Sequence, residues 1–238
     1  MQSASTTPPS SPPPSSPPLT AHELVRPGAT AAVALPLPPE DQARSDLYAL
    51  AARLLLAPPD AALLAGLAAA DPIESNGGDH LLADAWERLV IAAGVTEADA
   101  VAEEFDLLFV SSGTPVLNPY GSLYLSGFMN DTPLAELRAD LARFGIGRVR
   151  GVFESEDHLG ALCETMRVLI AGGPGIRRQP LAEQKAFFEA RIAPWYARCL
   201  ADLSNAEGAN FYRLVAAFAA ALLAIESEAF AVEDAFDV

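Results

Sequence analysis

Histidine is the side chain best suited to moving a proton near neutral pH, and the chain has three. Only His158 sits among other reactive groups, in Phe153-Glu154-Ser155-Glu156-Asp157-His158-Leu159. There Glu154, Glu156 and Asp157 favour the imidazolium, whereas the positive end of a helix disfavours it. That setting suits a group that caps a helix, orients a neighbour or contacts a ligand. No nucleophile or metal cluster accompanies it, so general acid–base catalysis lacks a second participant. Glu103 and Glu104 are sequence neighbours on different sides of a helix and form no carboxylate dyad. Cys163 and Cys199 lie in apolar helical runs outside any Cys-x-x-Cys spacing and read as buried, inert thiols. Two cysteines and three histidines cannot complete a four-ligand zinc site of the Cys/His type. Phosphate-binding glycine loops, His-Glu-x-x-His and Gly-x-Ser-x-Gly are all missing, and the glycine-rich turn Gly172–Gly175 follows a helix instead of opening one. The expectation is therefore no metal, no cofactor and no enzymatic activity.

Charge narrows the choice of partner. The 238 residues carry 31 Asp and Glu against 15 Lys and Arg, a formal net charge of −16. Such a surface repels nucleic acid and anionic membranes and draws in basic peptides. Between Arg88 and Arg138 there is no lysine or arginine, while Glu97, Asp99, Glu103, Glu104 and Asp106 share one stretch. A run of this kind is either a solvated helix face or the wall of a groove that receives cations.

The elements that must position these groups are helical. Asp41 to Leu56 has apolar residues at helical spacing and stops at Pro58-Pro59; Asp60 caps a short second helix. Asp79 to Ala93 predicts a third, and a fourth begins near Thr96 with Val101, Phe105, Leu108 and Phe109 inward. From Ser111 to Asp131 prolines and glycines forbid a long helix, and Tyr120, Tyr124 and Phe128 are interleaved in a connection too long to be filler. Tyrosines there either recognise a ligand or staple the loop to the core. Thr132 as N-cap and Pro133 at the first position open the next helix. Ser155 is expected to cap the one after it, with Glu156 and Asp157 in its first turn. A long helix from Leu181 is interrupted or kinked at Pro194, and the last runs from about Glu207 to Glu228. Eight or nine helices with no credible strand give an all-α, bundle-like single domain over residues 40–230.

Both ends differ from this core. Residues 1–39 hold 11 of the 20 prolines and read as a disordered extension, and residues 231–238 read as a frayed acidic tail. No basic, apolar signal opens the chain, and the best apolar window, Leu214 to Ile225, is too short to cross a bilayer, so a cytoplasmic location without membrane insertion is expected.

Three short motifs in order carry a family resemblance. An acidic helix ends in Glu103-Glu104-Phe105-Asp106-Leu107-Leu108-Phe109; a loop reads Asn118-Pro119-Tyr120-Gly121-Ser122-Leu123-Tyr124; and Glu154-Ser155-Glu156-Asp157-His158-Leu159 leads into a helix with Glu164 and Met166. With Pro194-Trp195 and Phe211-Tyr212 downstream, roughly Arg44 to Phe230 resembles the TorD/DmsD/NarJ group of molybdoenzyme maturation chaperones, most closely its TorD-like branch. Ser155 stands where that family usually has proline, and the proline-rich extension has no counterpart in the family core. The resemblance implies a non-enzymatic chaperone. It would bind the twin-arginine leader peptide of a molybdopterin-containing redox enzyme's catalytic subunit and hold back export until the cofactor is inserted. It also implies a peptide site at Tyr120, Ser122, Tyr124, Asp157 and His158. On the charge argument Glu103, Glu104 and Asp106 add field, with Asp157 nearest the peptide's basic part.

Two other classes stay open on the residues alone. One is a small nucleotide-binding protein or enzyme using His158; the other is an adaptor whose proline-rich extension engages a partner. The oligomeric state, monomer or helix-swapped homodimer, also stays open.

Overall fold

The computed structural model describes residues 36–74, 80–110, 115–147 and 155–236, and these are all-α: ten α-helices and one π-helical turn among the described residues. The extension as far as residue 35, with Phe153 and Glu154, lies outside them.

Proline starts the first element. Pro39 opens α1 (Pro39–Leu56), with Glu40 and Asp41 in the first turn, where the helix end is positive. Pro58-Pro59 ends it, and Asp60 Oδ1 accepts from Leu63 N at 2.7 Å to cap α2 (Ala61–Ala68), as the sequence predicts. Then come α3 (Leu81–Ala93) and α4 (Ala98–Phe105), the latter running straight into a π-helical turn at Asp106–Val110. The irregular connection holds a short α5 (Gly121–Ser126), followed by α6 (Thr132–Arg143) and α7 (Leu159–Ala171). The predicted break near Pro194 separates α8 (Leu181–Arg191) from α9 (Tyr196–Asn205), and α10 (Phe211–Phe236) closes the chain.

The most extensive helix pair is α1 against α7, and they pack tightly at Gly160. A Cβ there would lie 2.8 Å from Leu56 Cγ and 3.2 Å from Ala52 O, so only glycine lets the two backbones meet. On the other side α10 packs on α9 and α3, with Phe218 5.8 Å from Trp86. Tyr212, Val215, Phe218, Ala219 and Leu223 of α10 are fully buried.

By length and composition Phe211–Val232 could cross a membrane, which the shorter apolar window of the sequence did not suggest. Half of its most apolar window is buried inside the bundle, and it carries Glu226, itself only 4% exposed, facing Arg44 of α1. Arg44 donates to both Glu226 oxygens, to Asp41 and to Gln184, tying α10 to α1 and α8. These are the contacts of a core helix whose buried charge is paired.

Several helix starts fall elsewhere than the sequence reading put them. Asp131, not Thr132, caps α6, and its carboxylate accepts from Thr132 N at 2.7 Å. Glu97 precedes α4, while the Thr96 hydroxyl donates back to Ala92 O at 2.7 Å. His158, not Ser155, caps α7: its Nδ1 accepts from Gly160 N at 3.0 Å. Serine has the higher intrinsic preference, but residues 155–157 are held in a preceding turn by His158 N donating to Ser155 O. At the other end α10 continues past Glu228 to Phe236, into the segment expected to fray.

Candidate functional site: a closed junction beside an open acidic and apolar face

Three motifs far apart in sequence meet at the start of α7. Residues 119–121 run antiparallel to residues 157–159, bridged at Tyr120 and His158. Gly121 N donates to Asp157 O at 2.8 Å, and Leu159 N donates to Pro119 O at 2.9 Å. The Tyr120 and His158 rings meet edge to face with centroids 5.2 Å apart.

Asp157 is the centre of this junction and is only 3% exposed. Its Oδ2 accepts from Ser122 N at 2.8 Å, in the first turn of α5, so the carboxylate meets the positive end of that helix. Its Oδ1 is buried without a hydrogen-bond partner. Ser122 is fully buried, and its hydroxyl accepts from Asn130 N at 3.2 Å, where Asn130 takes a left-handed φ of 60°. His158 is 5% exposed; with Nδ1 accepting from Gly160 N, the neutral Nε2–H tautomer fits the helix start. The structure thus brings Tyr120, Ser122, Asp157 and His158 together, and it puts Ser122, Asp157 and His158 inside the protein.

Tyr124 carries the junction outward to α9. Its ring stacks on Trp195, centroids 5.4 Å apart at 25°, and its hydroxyl donates to Asp202 Oδ2 at 2.9 Å. Arg198 covers the other side, its guanidinium 4.8 Å from the ring centroid and its Nη2 donating to Tyr124 O. Burial, with Cys199 and Asp202 nearby, pushes the Tyr124 phenol upward, which keeps it a neutral donor. A Cβ on Gly121 would sit 3.3 Å from the Trp195 indole, so Trp195 fixes how closely α5 lies on α9. The buried thiols behave as expected: Cys163 and Cys199 are free, and burial pushes both up to about 12.

Three acidic residues at the end of α4 and the start of the π-helical turn divide into two kinds. Glu104 accepts from Asn210 N, Phe211 N and Tyr212 N at 2.8, 3.0 and 2.7 Å and so caps α10. Glu103 and Asp106 are exposed and pair with no described residue. Directly after them the π-helical turn keeps Leu108 inside and leaves Leu107 and Val110 50% and 58% exposed, with Val116 50% exposed beyond.

Two hollows flank the turn at 206–210. One, of about 580 Å³, lies among Val116, Leu117, Leu123 and Tyr124 with Arg198 and Asp202 at its edge. The other, of about 710 Å³, lies among Glu103, Glu104, Leu107, Phe211 and Leu214. Trp195, Arg198, Asp202 and the exposed Leu107, Val110 and Val116 were not singled out as site residues from sequence. Pro194-Trp195 and the Leu-Leu-Phe run were the available signals, but neither says which face reaches solvent. Among the described residues no three His, Cys, Asp or Glu side chains are grouped to hold a metal.

Residues 76–201, just over half the chain, match the protein-family model described as nitrate reductase delta subunit. The match covers the loop at 118–124, the Asp157-His158 element and Pro194-Trp195. No curated protein matches the chain significantly.

Proposed function

Since the chain belongs to the nitrate reductase delta subunit family, we propose that it is a cytoplasmic maturation chaperone, of the TorD-like branch, for a molybdopterin-containing redox enzyme. Its ligand is the twin-arginine leader peptide of the catalytic subunit, held until the cofactor is in place.

The observation that carries this reading is the face made by α4, the π-helical turn and the two hollows. Half-exposed Leu107 and Val110 adjoin Glu103 and Asp106, two exposed carboxylates with no partner of their own among the described residues, and half-exposed Val116 lines the hollow beside Tyr124. A leader has the complementary pattern, arginines followed by an apolar stretch. Its guanidinium groups pair with Glu103 and Asp106 in charge-assisted bonds, and its apolar part covers the leucine and valines and enters the hollow beside Tyr124. Arg198 and Asp202 offset each other at the hollow beside Tyr124, so the net acidic field lies at Glu103 and Asp106 and sets the end where the arginines lie.

In this reading Asp157 and His158 act through position. They hold α5, and with it Tyr124, against α9; Glu104 does the same for α10. Tyr124 is the residue of the junction that meets the peptide, with Tyr120 at its margin.

The test is calorimetric titration of the full chain with leader peptides of its candidate clients at two salt concentrations. Micromolar or tighter binding that weakens with salt, and falls about tenfold in the Glu103→Gln, Asp106→Asn double variant, is the expected result. No binding by any leader at low salt overturns the proposal.

A further inference from the structure

The face proposed for the leader is not the only exposed surface with a pattern, and α3 carries another. Ala85, Trp86, Leu89 and Ala93 of this 13-residue helix are buried. Away from them, Leu81, Asp84, Arg88 and Ile91 follow one another at spacings of three, four and three. At about 3.6 residues per turn these four lie within about 80° of one another, like the facing positions of a two-helix coiled coil. All four are exposed, Leu81 by 60% and Ile91 by 61%, and Val95, 81% exposed, carries the spacing one step past the helix end. Asp84 and Arg88 make no ion pair with a described residue.

We infer that this stripe pairs with the same stripe of a second copy of the chain, α3 lying antiparallel on α3 about a two-fold axis, with every helix kept in its own chain. Nothing in this rests on the leader-binding reading. The stripe is self-complementary: Leu81 faces Ile91 of the second copy, Asp84 faces its Arg88, and each contact occurs twice. The result is four layers, apolar at both ends, with an ion pair in each of the two central ones.

Charge rejects the alternatives. A parallel pair sets Asp84 on Asp84 and Arg88 on Arg88, and an antiparallel pair shifted by one turn again sets Arg88 on Arg88. A leader laid here would bring its arginines to Arg88. Such ion pairs add little affinity, but they fix direction and register. The remaining charges lie outside the layers. Glu87 is exposed on the flank beside Arg88, Glu97 follows the stripe and Asp79 precedes it in sequence. The two Glu87 side chains come to the same rim of the pair, where solvent screens them, and weaken it. Four layers along a helix about 20 Å long bury less than a standard interface, and two chains of net charge −16 repel, so the dimer is weak, with a Kd of about 100 μM.

Sedimentation equilibrium of the full chain from about 5 to about 500 μM should show a reversible monomer–dimer equilibrium. Arg88→Glu and Asp84→Arg should each weaken it about tenfold or more, because each sets like charges in both central layers. Mixed in equal amounts, these two variants should form a heterodimer as tight as the wild-type dimer, a recovery that a folding defect would not allow. The double variant Leu81→Cys, Ile91→Cys should form a disulfide between chains on mild oxidation, since within one chain the two positions are about 15 Å apart. A wild type that stays monomeric up to about 500 μM overturns the inference. So does a dimer that neither single variant weakens, which places the contact on another face or in exchanged helices.

Discussion

The junction at Asp157 and the face beyond α4 are both lined with carboxylates, yet they use them in opposite ways. At the junction Asp157 is 3% exposed and spends an oxygen on Ser122 N of α5; Glu103 on α4 and Asp106 at the start of the π-helical turn are exposed and spend nothing. Glu104 belongs with Asp157 although it adjoins Glu103, because its two oxygens take three amides of α10. A carboxylate at a helix end inside the protein is withheld from a ligand: Asp157 keeps one oxygen unpartnered but buried, and withdrawing either carboxylate would strand the amides it accepts from. The acidic groups available to a partner are the ones with no structural duty.

On the leader-binding proposal, that contrast assigns stability to the junction and affinity to the face. The largest expected effect is at Asp157→Ala, which strands Ser122 N and lowers unfolding stability by about 3 kcal/mol in urea denaturation. Asp157→Asn keeps an amide oxygen for Ser122 N and should retain peptide affinity within about twofold. A loss as large as that of the Glu103→Gln, Asp106→Asn pair would erase the distinction between the two regions. Next comes Glu104→Ala, expected to cost about 2 kcal/mol through the lost α10 cap, while Glu103→Gln stays within about 0.5 kcal/mol by the same assay.

A third test concerns pH. Cys163 and Cys199 are buried, with folded values of about 12 against about 8.5 for an unfolded thiol. Below about 8.5 both states keep the proton and stability is full; above it only the unfolded state ionises, so stability falls as pH rises toward about 12. The urea midpoint should decline from about pH 8.5 upward, before tyrosine ionisation begins near 10, and replacing both cysteines with alanine should flatten that first decline. Smallest is Val116→Ser on the open face: peptide affinity drops about threefold by calorimetry, with no change in unfolding free energy beyond about 0.5 kcal/mol.

The helical class and the identity of most elements were legible because the signals are local. Apolar spacing in Asp41–Leu56, proline after Leu56, Asp60 before Ala61 and the break at Pro194 each act within a turn or two of chain. Which residue caps α7 was not legible, because Ser155 and His158 are both within reach and the choice depends on a bridge to Tyr120 thirty-eight positions away. The same holds for the site. The family resemblance implied a site at Tyr120, Ser122, Tyr124, Asp157 and His158, but nothing in the sequence says that Ser122, Asp157 and His158 are buried.

By itself, then, the amino-acid sequence determined an all-helical chain, its acidic bias and inert thiols, and the short motifs at 118–124, 157–159 and 194–195. Periodicity, capping preference and charge count are properties of neighbouring residues and survive without a fold. The tertiary structure alone decided that those motifs converge, that Asp157 and Glu104 serve helix ends while Glu103 and Asp106 face solvent, and that Leu107, Val110 and Val116 remain half exposed. Burial and hydrogen-bond partnership are set by which distant backbone groups arrive at a side chain, and only packing brings them there.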